Sequence, residues 1–286
     1  MALELLKDCS VCPRECRIDR TAGETSHCGV DARLKVSSAN LHHGEEPPIS
    51  GPRGSGTIFL SGCNLKCVYC QNYPISQLRH GEYMTAKEVA GRMIRLQERS
   101  AHNINFVTPT HYVPQLMEAM LIAYKKGLEL PIVYNSSGYD KVDTLKMLDG
   151  IVEIYMPDMR YASAENSKCY SDADNYPEIN RKAIKEMFRQ VGDLKLNSTG
   201  VATQGLLIRH LVLPNQISGS KAIFDFLASE VSTGSYVSLM SQYFPAYEAY
   251  SIESLKRRLK RGEYKETLDA FEESGLRNGY IQPYWG

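Results

Sequence analysis

The chain has 286 residues, with 33 Lys+Arg against 33 Asp+Glu and 43% hydrophobic residues. Nucleic acid and anionic membrane surfaces are held by an excess of Lys and Arg, so this balance argues against both as partners. No apolar run approaches the roughly 18 residues of a membrane span and no signal-peptide core opens the chain, so a cytoplasmic protein is expected.

The eight cysteines then read as metal ligands rather than disulfides. Seven form two local clusters, Cys9, Cys12, Cys16, Cys28 and then Cys63, Cys67, Cys70; Cys169 is alone. Residues 9–28 carry little apolar periodicity, and a segment so polar is not held together by burial. A structural metal on four thiolates would supply the missing stability, and both zinc and a second iron–sulfur cluster accept four cysteines. His27 beside Cys28 is expected to be a solvated loop residue. From Leu34 to Gly56 the chain is short of helix signals, and His42-His43-Gly44-Glu45-Glu46-Pro47-Pro48 reads as a surface loop. Gly54 and Gly56 would let backbone approach a ligand closely.

The apolar run Thr57–Leu60 reads as a buried strand whose carboxyl end delivers Gly62-Cys63-Asn64-Leu65-Lys66-Cys67-Val68-Tyr69-Cys70. Closed zinc sites and most iron–sulfur clusters take four protein ligands. Three thiols at C-x3-C-x2-C spacing, with no fourth Cys or His in the loop, suit a site with an exchangeable fourth ligand. Strand and helix patterns then alternate. Thr85 and Glu88 form a capping box, residues 103–107 form a strand, and Pro114 opens a helix. Strands follow over 131–134 and 151–156, with a short helix around Val142 between them. About twenty aperiodic residues up to Tyr176 read as a long functional loop. Helices over 179–191 and 217–231 flank a strand over 206–213, a last strand covers 236–240, and a charged helix covers 251–273. Alternating apolar strands and helices mean a parallel sheet with right-handed crossovers, wound into a partial barrel with polar clusters at the strand carboxyl ends. The expected partition is a cysteine-rich segment with its lead-in over 1–50, the barrel over 51–250, and a C-terminal helix and tail over 251–286.

The cysteine loop resembles that of the radical S-adenosylmethionine (SAM) superfamily, and the resemblance implies an α/β partial (β/α)6 TIM-like barrel. Within that superfamily, Phe59, Gly62, Cys63, Cys67, Tyr69, Cys70 and Asn72 match the signature of glycyl-radical-enzyme activating enzymes. Ser55 stands where that signature has a basic residue, and Tyr73 intervenes before Pro74. Cys12-Pro13-Arg14, the stretches 44–51 and 103–112, and Arg209–Pro214 are similar to an uncharacterised branch of that group.

The resemblance implies a four-iron–four-sulfur cluster on Cys63, Cys67 and Cys70, with SAM on its open iron. Thr108 or Thr110 would receive the SAM ammonium; Asn135, Ser136 and Asp158 would shape its pocket, and Arg209 would meet its carboxylate. Asn135 replaces an Asp, which bears on a monovalent cation site. The alternatives are a barrel-interior ion pair between Arg209 and Asp158, a plain turn at Thr108-Pro109, and core roles for His111 and His210. Flavodoxin or ferredoxin would supply the electron. The implied target is a glycine of a partner protein; a small molecule, another peptide, and non-catalytic iron–sulfur electron transfer remain alternatives. Arg277-Asn278-Gly279-Tyr280 faintly echoes the glycine loop that activating enzymes modify, and an ordinary terminus is expected there.

Overall fold

The computed structural model describes residues 2–285. The strands are β1 (Leu34–His42), β2 (Ser55–Leu60), β3 (Glu82–Met84), β4 (Ile104–Val107), β5 (Ile132–Asn135), β6 (Ile154–Tyr155), β7 (Lys195–Leu196), β8 (Ala202–Leu211), β9 (Tyr236–Met240) and β10 (Asn278–Ile281). The helices are α1 (Pro47–Ser50), α2 (Tyr73–Ser76), α3 (Ala86–Glu98), α4 (Val113–Lys125), α5 (Val142–Lys146), α6 (Ala164–Ser171), α7 (Tyr176–Val191), α8 (Ser220–Glu230) and α9 (Arg261–Glu273).

The sheet runs β10-β9-β8-β6-β5-β4-β2-β1-β3, with β7 paired to β8. From β2 through β4, β5, β6, β8 and β9 every pairing is parallel. These are the six strands expected from the alternating pattern, and the α/β barrel-like architecture follows from them. Parallel strands need crossovers, and helices such as α3, α4, α7 and α8 supply them on the outer face. Helix starts follow local chemistry: Thr85 Oγ1 accepts from Glu88 N while Glu88 Oε2 accepts from Thr85 N, closing the capping box of α3. Pro114 and Pro177 sit in the first turns of α4 and α7, where no amide donor is needed.

Several expectations are corrected. The segment before β2 contains a nine-residue strand, β1, antiparallel to β2 and β3. A register shift between Val36 and Ser38 moves its core-facing residues from Leu34 and Val36 to Ala39 and Leu41, so no single two-residue alternation or apolar run marks it. The aperiodic stretch before Tyr176 holds α6, capped by Ser163 Oγ, which accepts from Asn166 N. The charged helix begins only at Arg261. The C-terminal Asn278–Ile281 is a seventh parallel strand beside β9, not a loose tail. A Cβ on Gly279 would lie 2.2 Å from Val237 O, so glycine there permits that pairing.

The surface loop expected at 42–48 runs instead into the barrel. Glu46, Pro48, Ile49 and Ser50 are buried, and Ile49 packs against Val133, Ile154, Met156, Ala202 and Leu207. That cluster marks the lumen, and strand alternation places Asn105 (opposite Val133), Arg209 and Ser238 on the same side. Gly54 and Gly56 admit protein rather than ligand. A Cβ on Gly56 would stand 2.6 Å from Asn103 O, and one on Gly54 3.0 Å from the His43 ring.

Candidate active site

Strand β2 is buried along nearly its whole length and ends in Ser61-Gly62. Gly62 turns with φ +84, and a Cβ there would fall 2.7 Å from Cys28 O, so the turn lies tight against the N-terminal segment. The loop that follows is pinned from several sides. Asn64 Nδ2 donates to Tyr139 O (2.7 Å), Arg14 Nε donates to Asn64 O (2.9 Å), and Lys66 N and Val68 N donate to Ser171 O and Tyr170 O in α6. Cys63 and Cys67 are buried and Cys70 is half-buried. Burial, then the neighbouring Cys67 thiol, pushes the Cys63 thiol up to about 12, and burial raises Cys70 as well.

Leu65 N donates to Cys63 Sγ (3.4 Å), Ser171 Oγ donates to Cys67 Sγ (3.0 Å), Arg160 Nη1 reaches Cys67 Sγ at 3.8 Å, and Cys70 Sγ lies 3.1 Å from Ser76 Oγ. None of these partners is an imidazole or carboxylate that would close the set as a fourth ligand. The donor set therefore fits a cluster with one iron left to a small molecule. Metal coordination would also deprotonate thiols that burial alone keeps neutral. Among the described residues no group of three or more His, Cys, Asp or Glu stands within reach of a single metal ion. A cluster spreads its thiolates over several irons, so that spacing does not conflict with it.

Tyr69 is buried under the loop and accepts from Tyr161 OH (2.7 Å), and Tyr161 Oη lies 2.6 Å from Ser171 Oγ. Asn72 is exposed at the start of α2. A cavity of about 160 Å³ is lined by Tyr69, Cys70, Asn72, Asp158, Arg160 and Arg209 among others. Cys70 thus faces the same cavity as Asp158 and Arg209. Arg209 Nε donates to Asp158 Oδ1 (2.9 Å), and Arg160 pairs with the other Asp158 oxygen. Arg209 is therefore engaged in the barrel-interior ion pair that the sequence left as an alternative to a SAM carboxylate contact. Asp158 is held in place by its backbone carbonyl, which accepts from Tyr176 OH and Asn180 Nδ2 at 3.0 Å each.

Thr108 ends β4 with φ +60, a left-handed conformation that costs a non-glycine residue roughly 1–2 kcal/mol. Thr110 and Ser136 do not point free hydroxyls at the cavity. Both donate to Asp140, Thr110 Oγ1 to Oδ1 (2.7 Å) and Ser136 Oγ to Oδ2 (2.6 Å), and Tyr134 OH adds a third bond (2.8 Å). Asn135 is buried, with Nδ2 at 3.5 Å from Glu45 Oε2. His111 and His210 are buried core rings: His111 Nε2 lies 3.0 Å from Ser61 O, and His210 bridges Met159 O and Ser220 Oγ. Sequence reasoning missed Asp140, Arg160, Tyr161 and Ser171. Asp140 follows a run of hydroxyl residues, which was its only local signal; Ser171 lies in a helix that carried no periodic signal.

In the N-terminal segment Cys9, Cys12 and Cys28 are buried and Cys16 is half-buried. Burial, opposed by a backbone hydrogen bond from Arg14 and reinforced by the neighbouring thiols, pushes Cys12 up to about 12. The wholly buried Arg20 clasps this segment to the barrel, donating to His111 O (2.6 Å) and Asp31 O (2.8 Å). His27, expected in solvent, is half-buried, and burial lowers its ring to about 4. The closed zinc site expected at these cysteines is not shown, since no single-ion cluster forms among the described residues. Cys169 is exposed on α6.

A parallel partial barrel with a cysteine trio at the carboxyl end of its first parallel strand defines a class of iron–sulfur enzymes. The radical SAM superfamily model matches residues 57–209, more than half of the chain, and the chain belongs to that superfamily. An uncharacterized protein of Methanocaldococcus jannaschii is 30% identical, over 96% of this chain and 78% of the relative. The pyruvate formate-lyase-activating enzyme of Clostridium pasteurianum is 22% identical over 42% of this chain and 52% of that enzyme. Among solved structures, HydG, a maturase of the FeFe-hydrogenase, superposes with a TM-score of 0.57 at 13% identity. That match covers 84% of this chain and 54% of HydG, so the chain spans about half the length of that structure. No helix among the described residues is long and apolar enough to cross a membrane.

Proposed function

We propose that this radical SAM enzyme removes a hydrogen atom from a glycine of a partner protein, with flavodoxin or ferredoxin as electron donor. The observation that carries the reading is the trio Cys63, Cys67 and Cys70 on one buried loop, with Cys70 lining the cavity that Asp158 and Arg209 also line. When bound, the cluster would supply the one electron for reductive cleavage of SAM, and the adenosyl fragment so released would take the hydrogen. The three cysteines would hold that cluster, Tyr69 and Tyr161 pack behind it, and Arg160 and Ser171 donate toward Cys67. The strained Thr108 and the buried Asn135, at the carboxyl ends of β4 and β5, would border SAM when it is bound. Likeness to the Clostridium pasteurianum activating enzyme, and the shared Phe59-x-x-Gly62-Cys63 signature, support glycine as the target.

Anaerobic reconstitution with iron, sulfide, SAM and dithionite tests the chemistry. 5′-Deoxyadenosine is expected from the wild type and not from Cys67→Ala; its absence from the wild type would overturn the reading. Incubation with a glycyl-radical enzyme tests the target, because a glycyl doublet in electron paramagnetic resonance is expected for an activating enzyme. Cys9, Cys12, Cys16 and Cys28 are further proposed to hold a second metal, zinc or an iron–sulfur cluster. Elemental analysis of a Cys63→Ala/Cys67→Ala/Cys70→Ala variant would show that metal in isolation.

A further inference from the structure

Beyond the cavity beside Cys70 the barrel holds a larger space. A cavity of about 490 Å³ is lined by Glu45 and Glu46 from the inserted loop, Arg209 from β8, Gln242 after β9, and Tyr280 and Gln282 from the C-terminal strand. It shares Arg209, Met240 and Gln242 with the smaller cavity beside Cys70, so the two spaces adjoin. Its volume suits a ligand of amino-acid to nucleoside size.

The polar groups of this space are not balanced among themselves. Glu45 is served by His42 Nδ1 at 3.0 Å and by Asn135 Nδ2 at 3.5 Å. Glu46 has no such service. It is 7% exposed, its Oε2 has no hydrogen-bond partner, and its Oε1 stands 3.9 Å from Arg209 Nε, beyond hydrogen-bond distance. Arg209 hydrogen-bonds Asp158 at 2.9 Å and reaches Glu46 only as a charge, without a hydrogen bond. Ser238, next to Arg209 and Tyr280 in register on the lumen side, likewise leaves its buried Oγ unpartnered. A buried carboxylate without a donor costs several kcal/mol, and proteins keep such a group where something else supplies the donor. Burial raises the Glu46 carboxyl, with Glu45 and Asp158 opposing the Arg209 effect.

We propose that this cavity receives the substrate and that Glu46 binds a cationic nitrogen on it, an ammonium or guanidinium group. The inference rests on the radical SAM reading for the word substrate, but the binding itself does not. A guanidinium or ammonium offers several donors at once. It would therefore serve the free Glu46 oxygen and the charge together, which a neutral donor does not. Gln242 and Gln282 line the same cavity and are neutral groups for the remainder of the molecule. A glycine target would on this view be flanked by a basic side chain.

The test is calorimetric titration of the reconstituted enzyme, with SAM bound, using agmatine, putrescine and argininamide as probes and 1,4-butanediol as the uncharged counterpart of putrescine. Saturable binding of at least one cation, none of butanediol, and at least tenfold weaker binding to Glu46→Gln are expected. Because Glu46 has no partner to lose, the Gln variant should melt at or above the wild type. Should it fail to fold, Gln242→Lys, at an exposed position that lines the cavity, places a like charge in it and should weaken cation binding by a similar factor. Absence of binding for all three cations overturns the proposal. So does equal binding of butanediol, or undiminished binding to the folded variants. 5′-Deoxyadenosine formation measured on the same wild-type preparation keeps the two readings apart: cation binding without it sinks the radical chemistry alone, and the converse sinks the cation site alone.

Discussion

Asp140 offers the sharpest test of how the strand ends are held. Its carboxylate is buried and accepts from Thr110 Oγ1 on the turn after β4, Tyr134 OH in β5 and Ser136 Oγ just beyond it, at 2.6–2.8 Å. Burial pushes the Asp140 carboxyl up, and the three hydroxyls oppose that shift. Asp140→Ala removes the common acceptor and strands three buried hydroxyls, each worth about 1–3 kcal/mol if left unpaired. Some will re-pair with one another, so a net loss of about 4 kcal/mol is expected, or a melting point lower by about 8–16 °C in a chain of this size. Asp140→Asn keeps one acceptor oxygen for Thr110 and Tyr134, while its amide donates to Ser136. It should cost about 1–2 kcal/mol. Thermal unfolding followed by circular dichroism reads both variants. An alanine variant melting within about 2 °C of the wild type would refute the hub, and equal losses for the two variants would refute the charge-assisted character of its bonds.

Gly62→Ala should lower both the melting point and the iron retained after reconstitution, because φ is +84 and the new methyl would meet Cys28 O at 2.7 Å; unchanged iron content would contradict this. Arg209→Met strips a buried partner from Asp158 beside Glu45 and Glu46, and about 3–5 kcal/mol should be lost in a urea titration. Arg209→Lys, which keeps the charge, should lose less. Burial, reinforced by the Arg20 charge, holds His111 down to about 3, and burial holds His210 down to about 4. Both are neutral when folded, while the unfolded chain takes up protons near pH 6.5. Stability is therefore complete above that pH and lost as pH falls toward the folded values. From pH 7.5 to 5.5 the two rings together should remove about 3 kcal/mol. A flat urea midpoint across that window would show that they are not buried neutral.

Much of the barrel was legible because its strands are short apolar runs and its helices start at capping residues and prolines. The Thr57–Leu60 run and the cysteine spacing after it located the centre of the site from local signals alone. β1 was not legible: the shift between Val36 and Ser38 breaks its two-residue period, so Leu34 and Val36 before it and Ala39 and Leu41 after it do not read as one face. The loop at Glu45-Glu46 looked solvent-exposed for the same reason that makes it informative, since two carboxylates before two prolines are seldom buried. Arg209 could be placed by likeness but not by partner, because its choice of Asp158 depends on strands 51 residues apart. Thr110 and Ser136 were singled out as hydroxyls near the strand ends; that both turn inward to Asp140 is a tertiary fact with no periodic trace.

The clasp that seats the N-terminal segment also sets an order of events during synthesis. Arg20 closes on His111 O, and Thr144 Oγ1 donates to Val11 O from 133 positions downstream. At roughly 5–20 residues per second, the ribosome takes about 7–27 s to emit the second of those anchors. Throughout that interval four thiols near the start of the chain wait without their seat, open to oxidants and to stray cations. The segment therefore docks only onto a chain already wound past its third parallel strand.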